Sequence, residues 1–116
     1  MKDKEGIPAD SVWHERVLHL GQALLGTVTS NFRKVELQYD RGKWILFFVL
    51  ERDDSSDREE IADLALEWVG LHTHPLEFEV DIIVSNERMK RTAGPHWTVF
   101  LRKEAECEDE PGCDAP

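Results

Sequence analysis

The chain has 116 residues, 24 acidic and 14 basic side chains, and a formal charge of −10 with its five histidines neutral. A chain of this length buries roughly 60–70% of its surface on folding, so a single core needs neither metal nor disulfide, and a 41% hydrophobic composition supplies it. The charge argues against binding nucleic acid or an anionic membrane, because both depend on Lys and Arg neutralising phosphates.

That charge is unevenly placed. Glu104 to Pro116 holds six acids and no base, which leaves the rest of the chain at net −4. Within the remainder, Glu51 to Glu67 holds eight acids against Arg52 and Arg58, and everything else is net +2. No apolar run approaches the ~18–20 residues of a transmembrane helix, and the start Met1 to Gly6 lacks the apolar stretch of a signal peptide, so the expected compartment is the cytoplasm. Cys107 and Cys113 fall in the acidic end, where a disulfide framing the core is not expected. The expected organisation is a flexible N-terminus over residues 1–9, one α+β domain over 10–103 and a disordered acidic tail over 104–116.

In chain order, Trp13, Val17, Leu20 and Leu24 recur at spacings of four, three and four, which predicts an amphipathic helix. Asp10 or Ser11 is expected to cap it and Gly26 to end it. From Arg33 the period becomes two: Val35, Leu37 and Tyr39 alternate with Lys34, Glu36 and Gln38, as on a strand with one wet face. Asp40-Arg41-Gly42-Lys43 supplies a hairpin turn, and Trp44 to Glu51 is apolar on both sides, which places it centrally in a sheet.

Ser56 and Glu59 have capping-box spacing ahead of a second helix with the stripe Ile61, Leu64, Ala65 and Trp68. Phe78, Val80, Ile82 and Val84 predict a third strand, residues 86–95 a basic, turn-rich connection, and Trp97 to Arg102 a fourth strand. The expected fold is α+β in the order α-β-β-α-β-β, a four-stranded antiparallel sheet with two packed helices. The four tryptophans are assigned mostly to its core.

Chemistry-bearing patterns are thin. His14 and His19 are five apart, which puts them about 140° around a helix instead of on the one face a zinc-protease motif needs. His72 and His74 with the two cysteines match no zinc-ligand spacing, and no serine, cysteine or glycine-rich loop has the context of a nucleophile or a phosphate cradle. No catalytic residue, metal or cofactor is therefore assigned. The distinctive feature is the acidic segment. Asp53, Asp54, Asp57, Glu60, Asp63 and Glu67 are expected to form an anionic ridge along the loop and outer side of the second helix, with Leu66 as an apolar anchor within a contact surface. The plainer alternative is a solvated face whose first-turn acids suit the helix dipole.

Ala23 to Val35, containing Phe32-Arg33-Lys34-Val35, then Ser55-Ser56-Asp57-Arg58-Glu59-Glu60 and the late Val99-Phe100-Leu101-Arg102-Lys103-Glu104, resemble immunity proteins of bacterial contact-dependent growth inhibition and related polymorphic toxin systems. The resemblance runs from about Asp10 to Glu104. Similar chains often carry Ala where this one has Lys34, and the Cys-containing acidic tail is additional.

The resemblance implies a small cytoplasmic domain, monomeric or weakly dimeric, that binds a toxin domain, often a nuclease, and blocks it without chemistry of its own. A basic nuclease cleft is the kind of partner an anionic ridge fits, so Asp53, Asp54, Asp57, Glu60, Asp63, Leu66 and Glu67 are the expected toxin-binding residues. A homodimeric small-ligand-binding domain using the wet sheet face or the Arg88-Met89-Lys90-Arg91 loop is the competing expectation.

Overall fold

The computed structural model describes residues 8–72 and 77–103. Its elements follow the expected order: α1 (Asp10–Leu24), β1 (Phe32–Asp40), β2 (Lys43–Leu50), α2 (Ser55–Gly70), β3 (Phe78–Val84) and β4 (His96–Leu101). Cys107, Cys113, His74 and the acidic tail lie outside the described residues.

Local chemistry explains most boundaries. At the start of α1 the capping position is Ala9, which has no side-chain acceptor, so neither Asp10 nor Ser11 caps the helix; Asp10 instead sits in the first turn, where its charge suits the dipole. Beyond the helix Gly26 takes a left-handed φ of 82° and the Thr27 amide returns to the Leu24 carbonyl. The β1–β2 hairpin closes through Arg41 and Gly42 at φ of 53° and 86°, the paired positive values of a two-residue turn whose twist matches its strands.

The capping of α2 differs from the expected Ser56–Glu59 box. Asp54 is the cap, and its carboxylate accepts from the Asp57 amide at 3.0 Å. Two more helical residues thus precede the first apolar position, Ile61.

The sheet order is β3-β2-β1-β4, and it is mixed. β1 pairs antiparallel with β2 and β4, but β2 and β3 run parallel, which corrects the all-antiparallel expectation. The reason is the connection: a helix of 16 residues between β2 and β3 returns the chain to the end where β2 began, as in any β-α-β crossover.

Both helices cover one sheet face. Against them lie Phe32, Val35 and Leu37 of β1, Trp44, Leu46, Phe48 and Leu50 of β2, and the half-buried Phe78, Val80 and Ile82 of β3. Phe32 and Val35 share this face despite their three-residue separation because β1 holds one extra residue, Arg33, against β2. A second irregularity lies between β1 and β4, where Val35 pairs with Phe100 and Glu36 with Thr98, leaving Val99 as the extra residue.

Three tryptophans are core. Trp13 meets Trp44 edge-on at 5.0 Å, and Trp68 is fully buried with its indole N–H donating to the Arg16 carbonyl at 3.0 Å. Trp97 departs from the expectation: it stands 39% exposed on the edge strand β4, stacked edge-on against His14.

Near Trp68, His72 donates from Nδ1 to the Trp68 carbonyl at 2.8 Å. Its Nε2 therefore accepts in the neutral ring, from His19 Nδ1 at 3.2 Å. Burial, with the Arg16 charge and His19 adding to it against the Trp68 bond and Glu15, pushes His72 below its ordinary value and so favours its neutral ring.

Trp68→Ala removes the largest fully buried side chain and the bond to Arg16, so it is expected to cost about 3–5 kcal/mol in urea unfolding. A loss under about 1 kcal/mol would show that α2 does not depend on this anchor.

Candidate functional site

The acidic segment separates into two groups. Asp57 is not on the outer surface: it is 5% exposed and its carboxylate accepts from the Asn31 amide at 2.9 Å and from the Thr29 hydroxyl at 3.3 Å. Asn31, equally buried, also donates to the Arg52 carbonyl and accepts from the Arg52 amide, both at 2.8 Å. These bonds fasten the start of α2 to the entry of β1 and the exit of β2. Asp54 works in the same junction as the helix cap. The expected ridge is corrected here: Asp57 faces inward, because the segment before β1 packs against the start of α2 and brings the donors Thr29 and Asn31 to its carboxylate.

The remaining acids face outward. Glu60, Asp63 and Glu67 are exposed on α2, and Leu66 beside them is 68% exposed. Glu59, not among the expected contact residues, joins them. At 100° per residue Glu59, Glu60, Asp63, Leu66 and Glu67 fall within about a 120° arc, opposite the buried stripe Ile61, Leu64, Ala65 and Trp68. No cation among the described residues pairs with these four carboxylates. Asp53, in the loop ahead of the helix, is exposed but holds Arg58 at 2.6 Å. The outward set is thus an unneutralised anionic helix face with one apolar side chain in its middle.

The other face of the sheet, wet at Glu79 and Asp81 of β3, is covered along β1. Lys34 and Glu36, expected on a solvated side, are 7% and 2% exposed. Because β3 and β4 are opposite edges of the sheet, their connection must cross β2 and β1, and it does so over the helix-free face. Three β1 side chains hold it there. Arg33, 1% exposed, donates to the carbonyls of Ser85 at 2.6 Å and Glu87 at 2.8 Å. Lys34 donates to the Lys90 carbonyl at 3.4 Å and pairs with Glu36 at 3.2 Å. Glu36 accepts from the hydroxyls of Thr92 and Thr98 and from the Gln38 amide.

Burial alone opposes charge on Glu36, but Thr92, Gln38 and Lys34 together outweigh it and hold the carboxyl below its ordinary value of 4.5. Beside the start of β1, Arg102 donates to the Ser30 carbonyl at 2.7 Å and to Glu51 at 2.9 Å. The segments Phe32 to Val35 and Leu101 to Lys103 therefore include residues that build the fold.

No group of three or more His, Cys, Asp or Glu able to hold a metal occurs among the described residues, where His14 packs on Trp97 and His19 on His72. No described helix is long and apolar enough to cross a membrane.

A family model of MafI2 immunity proteins matches residues 14–104. The chain belongs to the MafI2 immunity protein family. The match begins inside α1 and takes in every later element, so both the anionic helix face and the roofed sheet face lie within the family region. Membership agrees with the resemblance to polymorphic toxin immunity proteins. No curated protein matches the chain.

Two stability measurements test the division of acids. Asp57→Ala leaves one N–H of the buried Asn31 amide without its acceptor and is expected to cost about 1–3 kcal/mol, whereas Asp63→Ala, on the outer face, should stay within about 0.5 kcal/mol. Equal effects would place both acids in one environment. Glu36 has a folded value below its unfolded one, so its charge adds stability above about pH 4.5 that is lost as pH falls through the lowered folded value. Glu36→Gln should accordingly differ most from the parent in urea midpoint near neutrality, with the gap narrowing below pH 4.5; a gap independent of pH would deny that its charge matters.

Proposed function

We propose that this MafI2-family chain is an immunity protein that binds its cognate toxin domain through the outer face of α2 and blocks a basic active-site cleft, as expected for a nuclease. One observation carries the proposal: Glu59, Glu60, Asp63 and Glu67 lie on one exposed helical arc around Leu66, with no described cation to neutralise them. The helix dipole favours acids only in the first turn, and Asp63 and Glu67 lie well beyond it, where the dipole gives them no support. A basic partner does. Long-range attraction raises the encounter rate, and charge pairs that lose water on docking slow release.

Asp53 and Leu66 complete the contact. Asp53 exchanges Arg58 for a cation of the toxin at small cost, because an exposed pair of this kind is worth only about 0.2–1 kcal/mol. Leu66 supplies a central apolar contact from which water is expelled. Asp54 and Asp57 support the site by fixing the start of α2 and make no contact themselves. Inhibition is by occupancy, with no catalytic step in this chain. The toxin meets it in the cytoplasm after delivery by a contact-dependent or related system.

The test is affinity for the cognate toxin domain. Replacing Glu59, Glu60, Asp63 and Glu67 by Gln or Asn should weaken binding by about 100-fold or more, mostly at low salt, and leave the circular dichroism unchanged. Unchanged affinity would remove α2 from the interface while leaving family membership intact.

A further inference from the structure

The helix-free sheet face holds a cavity that plays no part in the proposed toxin contact. Beneath the β3–β4 connection lies a cleft of 410 Å³, within the range of about 300–1,000 Å³ usual for small-molecule sites. Its floor is apolar: Phe47 and Val49 of β2 and Ile83 of β3, with Met89 reaching in from the roof. Its rim is cationic, with Arg88, Lys90 and Arg91 against Glu87.

The cavity is built into the fold and is not slack under a loose loop. A segment serving only to cover Phe47 and Val49 would need no more than apolar side chains such as Met89 to hold it in place. Here residues 85, 87, 90 and 92 are instead hung from Arg33, Lys34 and Glu36, three buried charged groups of the adjacent strand. Burying charge is costly unless every group is satisfied, so this arrangement fixes the roof at a set height. Space remains below it, and Ile83 stays 44% exposed.

We propose that the cleft binds a small amphipathic anion, an apolar body of medium length ending in a single carboxylate. The apolar part lies on Phe47, Val49 and Ile83, and the carboxylate reaches Lys90 and Arg91, which have no ion-pair partner among the described residues. Size and charge both select this class. A polyanion is repelled at long range by a chain of net −10, whereas one carboxylate feels chiefly the cations it touches. A neutral apolar molecule gains the floor and leaves the rim unused. The ligand site lies across the sheet from α2 and does not depend on how the toxin docks.

Decanoate is a suitable probe, titrated into the full chain by calorimetry and by NMR of the methyl groups of Val49, Ile83 and Met89. Saturable one-to-one binding is expected, with shifts concentrated at those methyls and about tenfold weaker binding of decanol, which lacks the charge. Lys90→Gln with Arg91→Gln, both exposed, should lower decanoate affinity to that of decanol and leave decanol unchanged. Ile83→Glu should weaken both. The proposal is overturned by absence of saturable binding at about millimolar decanoate, by equal affinity for decanol, or by shifts centred on other residues. Toxin affinity measured on the same variants keeps the two surfaces distinguishable, since a loss confined to toxin binding would leave the ligand result standing.

Discussion

A charged group inside a protein must be paired or hydrogen-bonded, and β1 carries Arg33, Lys34 and Glu36 within four residues at positions 1–7% exposed. Much of the architecture satisfies them. The β3–β4 connection crosses the sheet where it does because its carbonyls at Ser85, Glu87 and Lys90 receive the two cations, and its Thr92 hydroxyl meets the carboxylate. That crossing delivers the chain from one edge of the sheet to the other and so allows β4 to pair with β1. The extra residue at Arg33 also turns its guanidinium toward the connection while Phe32 and Val35 both stay in the core.

A similar economy operates at the start of α2, where acids serve the fold before they serve any partner. Asp54 caps the helix, and Asp57 turns inward to Asn31 and Thr29. The carboxylates further along the helix have no such occupation. α2 is thereby anchored rigidly at its N-terminus while its outer arc remains free of neutralising contacts, and a rigid charged surface loses little conformational entropy when it docks. Membership of the MafI2 immunity family implies a toxin partner, and this surface is the one proposed for it.

The two faces of the sheet have opposite characters. The helical side ends in an anionic arc around Leu66, and the other side in a roofed cleft with a cationic rim. In a chain of net −10 this segregation matters more than the total, since a basic protein and a small anion would be drawn to different sides of the same sheet.

Element order, the central position of β2, the buried stripe of α2 and the hairpin turn at Arg41 and Gly42 were legible along the chain, because each depends on periodicity or on backbone preferences of a few neighbouring residues. The exposed part of the acidic face was legible for the same reason: helical spacing alone separates Glu60, Asp63 and Glu67 from Ile61, Leu64 and Trp68. Strand direction was open to inference from the helix between β2 and β3 but is not a property of either strand.

The fates of Asp57, Lys34 and Glu36 had no local signal at all. Alternation marked Lys34 and Glu36 as polar, and only a segment some 50–60 residues away determines that their face is covered. The amino-acid sequence by itself therefore determined the elements, the core-facing stripes and the family. Tertiary structure decided which charges are buried, because burial depends on what crosses over a side chain, and that is set by strand order and not by neighbours in the chain.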